Sequence, residues 1–270
     1  MAKVTGIFQP SGTIEGMSFY KTTGSDKVIM RKKGGPKKAR MATGKEFEKV
    51  RKHQAEWGGC VLFARSVKGA AGDCYPMSDH NLSSAWTGMG KKLMSLDTKN
   101  ETGNRSILLS TYKQALVDYN FSRKKPLISI LRVVPVYEID RDSMQAFIRY
   151  PRISTATDLV NSEKRPYFRL VATLGCVSDL SFKKSLFSNY IEVNEALNGL
   201  SVSVSSEWLS ANDLLLNQEL TLKFEDKIME QLTADISLVL SVGVEFGTVG
   251  FGGVIEAVKR SGAAKIVEVV

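Results

Sequence analysis

Both histidines and two of the three cysteines fall between positions 53 and 80, as His53, Cys60, Cys74 and His80. Imidazole and thiolate are the usual ligands of zinc, so this group is the first chemistry to weigh. Structural zinc sites are built from close Cys or His pairs, and neither kind of pair occurs here. His53 and Cys60, seven residues apart, share a helix face as readily when they are core or surface neighbours. The run "GTVGFGG" ahead of "VIEAVKR" has the glycine content of a phosphate loop. Such a fingerprint needs a strand before it and a helix after it. Here both flanks read as strand, the Lys-Ser/Thr of a P-loop is missing, and glycines in a β-turn account for the run. Cys176 sits in "LVATLGCVSDL", where a small buried thiol is the ordinary reading. No serine stands in a G-x-S-x-G elbow. The residues therefore imply no catalytic set, no metal and no cofactor, and the chain is expected not to be an enzyme.

The strongest local feature is charge. "KVIMRKKGGPKKARMATGK", from Lys27 to Lys45, holds eight Lys or Arg and no Asp or Glu. Over all 270 residues there are 37 Lys and Arg against 28 Asp and Glu, a formal charge of +9. An excess of that size favours nucleic acid or acidic protein surfaces as partners, and says nothing about fold. A segment so poor in apolar side chains cannot offset its own ordering entropy, so a partner is expected to hold it. Arg31, Lys32, Lys33, Lys37, Lys38 and Arg40 are the expected contact residues, with Phe19 and Tyr20 anchoring the segment before them. No aromatic residue lies between Lys27 and Lys45 to stack on bases, and no helix-turn-helix, finger or RNP pattern is present. Protein subunits, this chain's own or others, are the expected partners. Nucleic acid held through phosphates is the alternative.

These residues need elements to position them. "MSFYK" and "KVIMRKK" about the turn "TTGSD" predict a β-hairpin, and "GGPKKARMATG" after it an extended arm. Thr43 with Glu46 has the form of a capping box opening a helix. In that helix Phe47, Val50, Gln54, Trp57, Val61 and Ala64 recur at three- and four-residue steps and predict the buried face. The pair Gly58 and Gly59 marks a bend or a close contact. "GAAGDCYPMSDHN" is a break, with Asp79 and Asn81 as caps. Leu82, Trp86, Met89, Leu93 and Leu96 predict a second helix, and Ile107 to Tyr119 a third. Beyond Lys125 short β-branched runs such as "SVSVSS" and "LTLKF" predict an antiparallel sandwich of the immunoglobulin kind, without its Cys…Trp…Cys spacing. The expected fold is α+β: a hairpin and basic arm over 1–43, a helical region of about three helices over 44–123, and an Ig-like β-sandwich over 124–270.

The opening "GIFQPSGTIEGMSFYKTTGSDKVIMRKKGGPKK" resembles the N-terminal signature of a poorly characterised family from Bacteroidetes-type bacteria and their phages. The residues carrying the resemblance are Gly6, Ser11, Gly12, Gly16, Phe19, Tyr20, Gly24, Arg31, Pro36 and Phe47, over about the first quarter of the chain. The family has no assigned activity, so the resemblance implies no catalytic residue. Similar openings stand beside phage structural genes, which implies a virion part. The sequence reading is therefore a non-enzymatic structural subunit of a head–tail ring, tail or capsid. It is expected to be oligomeric, without a membrane partner, made in cytosol-like conditions and carried into the virion if phage-encoded. Three cysteines are too few for a disulfide framework, and no secretory or spanning run is read.

Overall fold

The computed structural model describes residues 2–4, 10–21, 27–32, 34–183, 189–212 and 214–270. The chain divides into two compact units, Met1–Arg51 and Lys52–Val270. The first unit carries a four-stranded antiparallel sheet of β1 (Ala2–Val4), β2 (Gly12–Ile14), β3 (Met17–Lys21) and β4 (Val28–Lys32), in the order β1-β4-β3-β2. The expected hairpin is β3 with β4, in a register that sets Met17 opposite Lys32 and Phe19 opposite Met30. Its turn, 22–26, lies outside the described residues. The basic segment is not extended throughout, because α1 (Lys38–Thr43) makes its second half helical. The capping box does not form. The Thr43 hydroxyl donates back to the Ala39 carbonyl at 3.1 Å, and Glu46 accepts from Arg40 at 2.9 Å.

The long helix α2 (Glu48–Ala70) continues through Gly58 and Gly59 without a bend. A Cβ on Gly59 would meet the Tyr190 ring at 2.7 Å, so the close contact is the reason for that glycine. The buried face differs from the expected one. Glu56, Gly59, Cys60, Phe63, Ala64, Ser66, Val67 and Ala70 point inward, while Val50, Trp57 and Val61 are exposed. Next comes α3 (Ser83–Ser95), whose first turn is tied by the Asn81 carboxamide accepting from the Ser83 amide at 3.0 Å. The expected third helix is absent. Residues 106–121 run irregularly over sheet edges, with the Phe121 amide donating to the Ala264 carbonyl at 2.9 Å and the Ile266 amide to Tyr119 at 3.0 Å. The ends of the segment are tied to strands, while Tyr112, Ala115, Leu116 and Tyr119 donate to carbonyls three or four residues back in short turns. Helix also appears in short pieces not anticipated, α4 (Leu127–Ile130) and α5 (Asp226–Met229), so the segments outnumber three.

The rest is antiparallel sheet. β5 (Val136–Asp140), β6 (Gln145–Ser154) and β12 (Leu214–Lys223) form one sheet, in the order β12-β6-β5. β7 (Tyr167–Ser178), β10 (Ser201–Ser205), β13 (Ile236–Val249) and β14 (Ile255–Val269) form the other, in the order β10-β7-β13-β14, with β11 (Leu209–Ser210) also on β7. A small hairpin of β8 (Leu180–Phe182) and β9 (Tyr190–Glu192) leaves the end of β7. The wiring is regular. After the β5–β6 hairpin the chain crosses to the second sheet for β7 and β10, and returns for β12 beside β6. It then crosses again for β13 beside β7 and closes with β14 beside β13.

One core lies between the two sheets. Leu170, Leu174, Leu238, Leu240 and Val242 of the larger sheet meet Ala146, Ile148, Tyr150, Leu220 and Leu222 of the smaller. A second core covers the other face of the larger sheet, where Val171, Val177, Val239 and Ile266 meet Phe63, Val67, Met77 and Trp86. Helices and sheets after position 52 are thus one folding unit in three layers. Trp86 is fully buried there, 5.7 Å edge-on to Phe121 and 5.8 Å from Tyr75. The approach is closest at Gly175, where a Cβ would run into the Ala70 carbonyl oxygen. Trp86→Ala should lower unfolding free energy in urea by about 3–5 kcal/mol. Gly175→Ala, which adds one carbon against backbone, should cost about 1–3 kcal/mol. Equal urea midpoints for wild type and both variants would contradict this layering.

Candidate interaction surfaces

In the N-terminal unit the strand register sorts the side chains onto two faces. Ile14, Met17, Phe19, Met30 and Lys32 share one face, and Ser18, Tyr20, Ile29 and Arg31 the other. Ile14 and Met17 are 56% and 43% exposed, so apolar surface lies beside the cation of Lys32. Phe19 and Tyr20 are half-buried. The Arg31 guanidinium sits 5.5 Å from the Tyr20 ring centroid, a cation–π distance that occupies that aromatic face. Arg40 is paired with Glu46 at home. Arg51 donates to the Met41 and Gly44 carbonyls at 2.8 Å each and fixes the end of α1. Lys32, Lys37 and Lys38 are exposed and have no carboxylate partner among the described residues. Lys33 lies outside the described residues. Of the eight expected contact residues, three lysines are thus free to meet an anion and two cations are engaged within the unit.

Among the exposed apolar side chains of the body, three places stand out. One is the α2 face with Trp57, 54% exposed. Another is the tip between β13 and β14, where Gly252 at φ 73° turns the chain and Phe251 stands 98% exposed. This tip is the glycine-rich run, and both its flanks are strands as expected. The third is the outer face of β5 and β6, where Val136 and Phe147 are 67% and 46% exposed beside Glu138. A shallow depression there is lined by Val136, Glu138, Phe147, Arg149, Glu219 and Thr221.

The titratable groups of the body act as ties. The Glu56 carboxylate is fully buried and receives Arg105 in a two-pronged pair at 2.7 and 2.9 Å, the Gly103 amide at 2.8 Å and Lys91. Burial alone would raise its pKa, but these donors outweigh burial and bring it to about 2. Nothing in the local sequence distinguished Glu56 from the other acids of its helix. Asp79 accepts from the Ser122 hydroxyl at 2.8 Å and the Lys124 amide at 3.0 Å, so it ties the start of the sheet region rather than capping a helix. Asp179 accepts from the Ser110 amide and hydroxyl, and burial pushes its carboxyl up. Burial likewise raises the thiols of Cys60 to about 11 and of Cys74 and Cys176 to about 12, which leaves them poor nucleophiles at neutral pH. All three are free and buried. His53 and His80 turn to Glu56 at 3.9 Å and to Asp79 respectively, and no group of three metal-ligating residues occurs among the described residues. No helix among them is long and apolar enough to cross a membrane.

Comparison with protein-family models, with curated proteins and with solved structures gave no match.

Because the Glu56 pKa falls on folding from 4.5 to about 2, its pairing stabilises the fold above pH 4.5 and is lost as pH drops toward 2. The window is worth on the order of 3 kcal/mol. Glu56→Ala leaves Arg105 and Lys91 unpaired and should cost about 3–5 kcal/mol at neutral pH. Chemical denaturation from pH 7 to 2 should show a smaller loss of stability between pH 4.5 and 2 in the variant than in the wild type, the remainder coming from other carboxylates held low, such as Asp79 and Asp97.

Proposed function

We propose that the chain is a non-enzymatic structural subunit of a macromolecular assembly, a phage virion component that contacts neighbouring subunits through its basic N-terminal unit. The observation that carries this reading is the pairing of exposed Lys32, Lys37 and Lys38 with the exposed apolar Ile14 and Met17 in one small unit. Ammonium groups beside apolar side chains suit a protein surface that offers carboxylates around an apolar patch. The distribution of charge supports it. The segment 27–45 holds eight of the 37 cations and none of the 28 acids, so the remainder of the chain has 29 against 28. Almost the whole excess is delivered by one end.

The body fits the role of a scaffold. Its order of sheet crossings, with β5, β6 and β12 on one side and β10, β7, β13 and β14 on the other, follows the immunoglobulin-like plan of strands A, B and E facing C′, C, F and G. We read it as an Ig-like sandwich with a helical layer added on its larger sheet. Its perturbed acids Glu56, Asp79 and Asp179 hold loops in place, which is structural rather than catalytic work.

For nucleic acid the unit offers fewer means. Tyr20 is already covered by Arg31, and Phe19 is half-buried. Base stacking would have to displace them. Sedimentation of the full chain should show self-association, or association with virion proteins of its host phage. Replacing Lys32, Lys37 and Lys38 by Glu should abolish it, and salt should weaken it. A chain that stays monomeric, binds no virion protein and retards an oligonucleotide steeply with falling salt would replace this reading by the phosphate-binding one.

A further inference from the structure

The edge strand β5 and its surroundings carry the opposite character to the N-terminal unit. β5 ends its sheet, paired only with β6 among the described residues. Its outward positions are Val136, Glu138 and Asp140, and the turn that follows adds Asp142. Glu138 stands opposite Phe147 in register, and Val136 opposite Arg149. The cations in register with this face are already used, because Arg149 donates to Glu219 at 2.7 Å and Lys223, in the row of Asp140, pairs with Asp226 at 3.1 Å. Glu138, Asp140 and Asp142 have no ion-pair partner among the described residues. Asp140 accepts from the Ser143 hydroxyl at 2.6 Å, which lowers its pKa and keeps it charged. Exposed Val136 and Phe147, with Val134 just before the strand, supply apolar surface beside these carboxylates.

We propose that this β5–β6 face is the acceptor for the basic N-terminal unit of a second copy of the chain. The proposal rests on the functional reading above and names the surface that the lysines meet. Complementarity selects the occupant. One patch sets Ile14 and Met17 beside the unpaired Lys32, and the other sets Val136 and Phe147 beside unpaired carboxylates. Two N-terminal units meeting each other would place like charges together, and so would two β5 faces. The contact is therefore heterologous, tail of one copy to face of the next, and such a contact propagates into a ring or a filament rather than stopping at a dimer. A ring or a filament is the form of a repeated particle component.

The test uses the full chain and charge reversal at exposed positions whose side chains make no hydrogen bond in the fold. Lys32→Glu with Lys37→Glu disables the donor unit, and Glu138→Lys with Asp142→Lys disables the acceptor face. Circular dichroism and urea midpoints confirm that both variants fold as the wild type. In sedimentation velocity the wild type should grow beyond dimers with concentration, and each variant alone should associate at least about tenfold more weakly. In an equimolar mixture the reversed charges face each other as well as the native ones, so copies of the two variants should alternate and growth beyond dimers should return. Should the face variant assemble like the wild type while the donor variant does not, the acceptor is elsewhere: this inference falls and the functional reading stands. A mixture that does not grow beyond dimers also overturns it. A wild-type chain that is monomeric at every concentration overturns the self-contact outright. If that monomer also binds no virion protein, the functional reading falls with it.

Discussion

Strands β7 and β13 are buried on both faces, and the arrangement of the body follows from that condition. A strand in an antiparallel sandwich usually keeps one face in water and alternates accordingly. Here β7 is buried from Leu170 through Ser178 and β13 from Ile236 through Val244, without a break. The two faces differ both in side-chain size and in polarity. Toward the smaller sheet stand Leu170, Leu174, Leu238, Leu240 and Val242. Toward the helical layer stand Thr173, Gly175, Ser237, Ser241 and Gly243 among the valines. The small side chains allow a close approach to the sheet: the Ala70 backbone at the end of α2 comes down on Gly175, and the Met77 sulfur on Gly243. Thr173 shares a hydrogen bond with Ser203 at 2.8 Å on that face. A bulky residue at either glycine would lift the helical layer off the sheet.

Once that layer is seated, the buried acids decide which segments can join it. Glu56 gathers Lys91 on α3 and Gly103 and Arg105 beyond it onto α2. Asp179 holds Ser110, and Asp79 holds Ser122 to Lys124. Each anion thus replaces contacts that a regular third helix would have provided. A lone buried carboxylate would be costly. Two cations and a backbone amide around Glu56 reverse that cost, and its lowered pKa reports the reversal.

These ties explain where sequence patterns carried through and where they did not. The β3–β4 hairpin, the position of α3 and the strand-rich body after Lys125 were legible from alternation and turn residues, which are local. The face of α2 was not. Val50, Trp57 and Val61 form an apolar stripe at helical spacing, but the buried side contains Glu56, Gly59 and Ser66. Periodicity counts Glu56 as a solvent position, and only the distant Lys91 and Arg105 make it an interior one. The segment 106–121 misled for the same reason. Its apolar residues suit a helix, yet Ile107 pairs with Leu180 and Asn120 with Lys265 across long stretches of chain. At the surface, the cations of the basic segment were visible in one dimension. Which were spoken for was not, since Arg31 meets Tyr20 only when two strands are in register.

The charge asymmetry then has a structural consequence of its own. The body, residues 52–270 with 25 cations and 24 acids, carries little net field, so repulsion between bodies does not oppose packing them side by side. The end unit, by contrast, repels its own kind. A subunit charged in this way resists pairing end to end and accepts pairing end to body, so polarity along an assembly is set before any specific contact forms. Apolar side chains such as Ile14 and Met17 on one patch, and Val136 and Phe147 on the other, would supply the short-range part of the attraction once the charges have oriented the copies. In the proposed contact, salt would act mainly on the rate at which copies meet, and less on how long they stay together. That division between a charged approach and an apolar hold is what an assembling subunit needs to join in one direction.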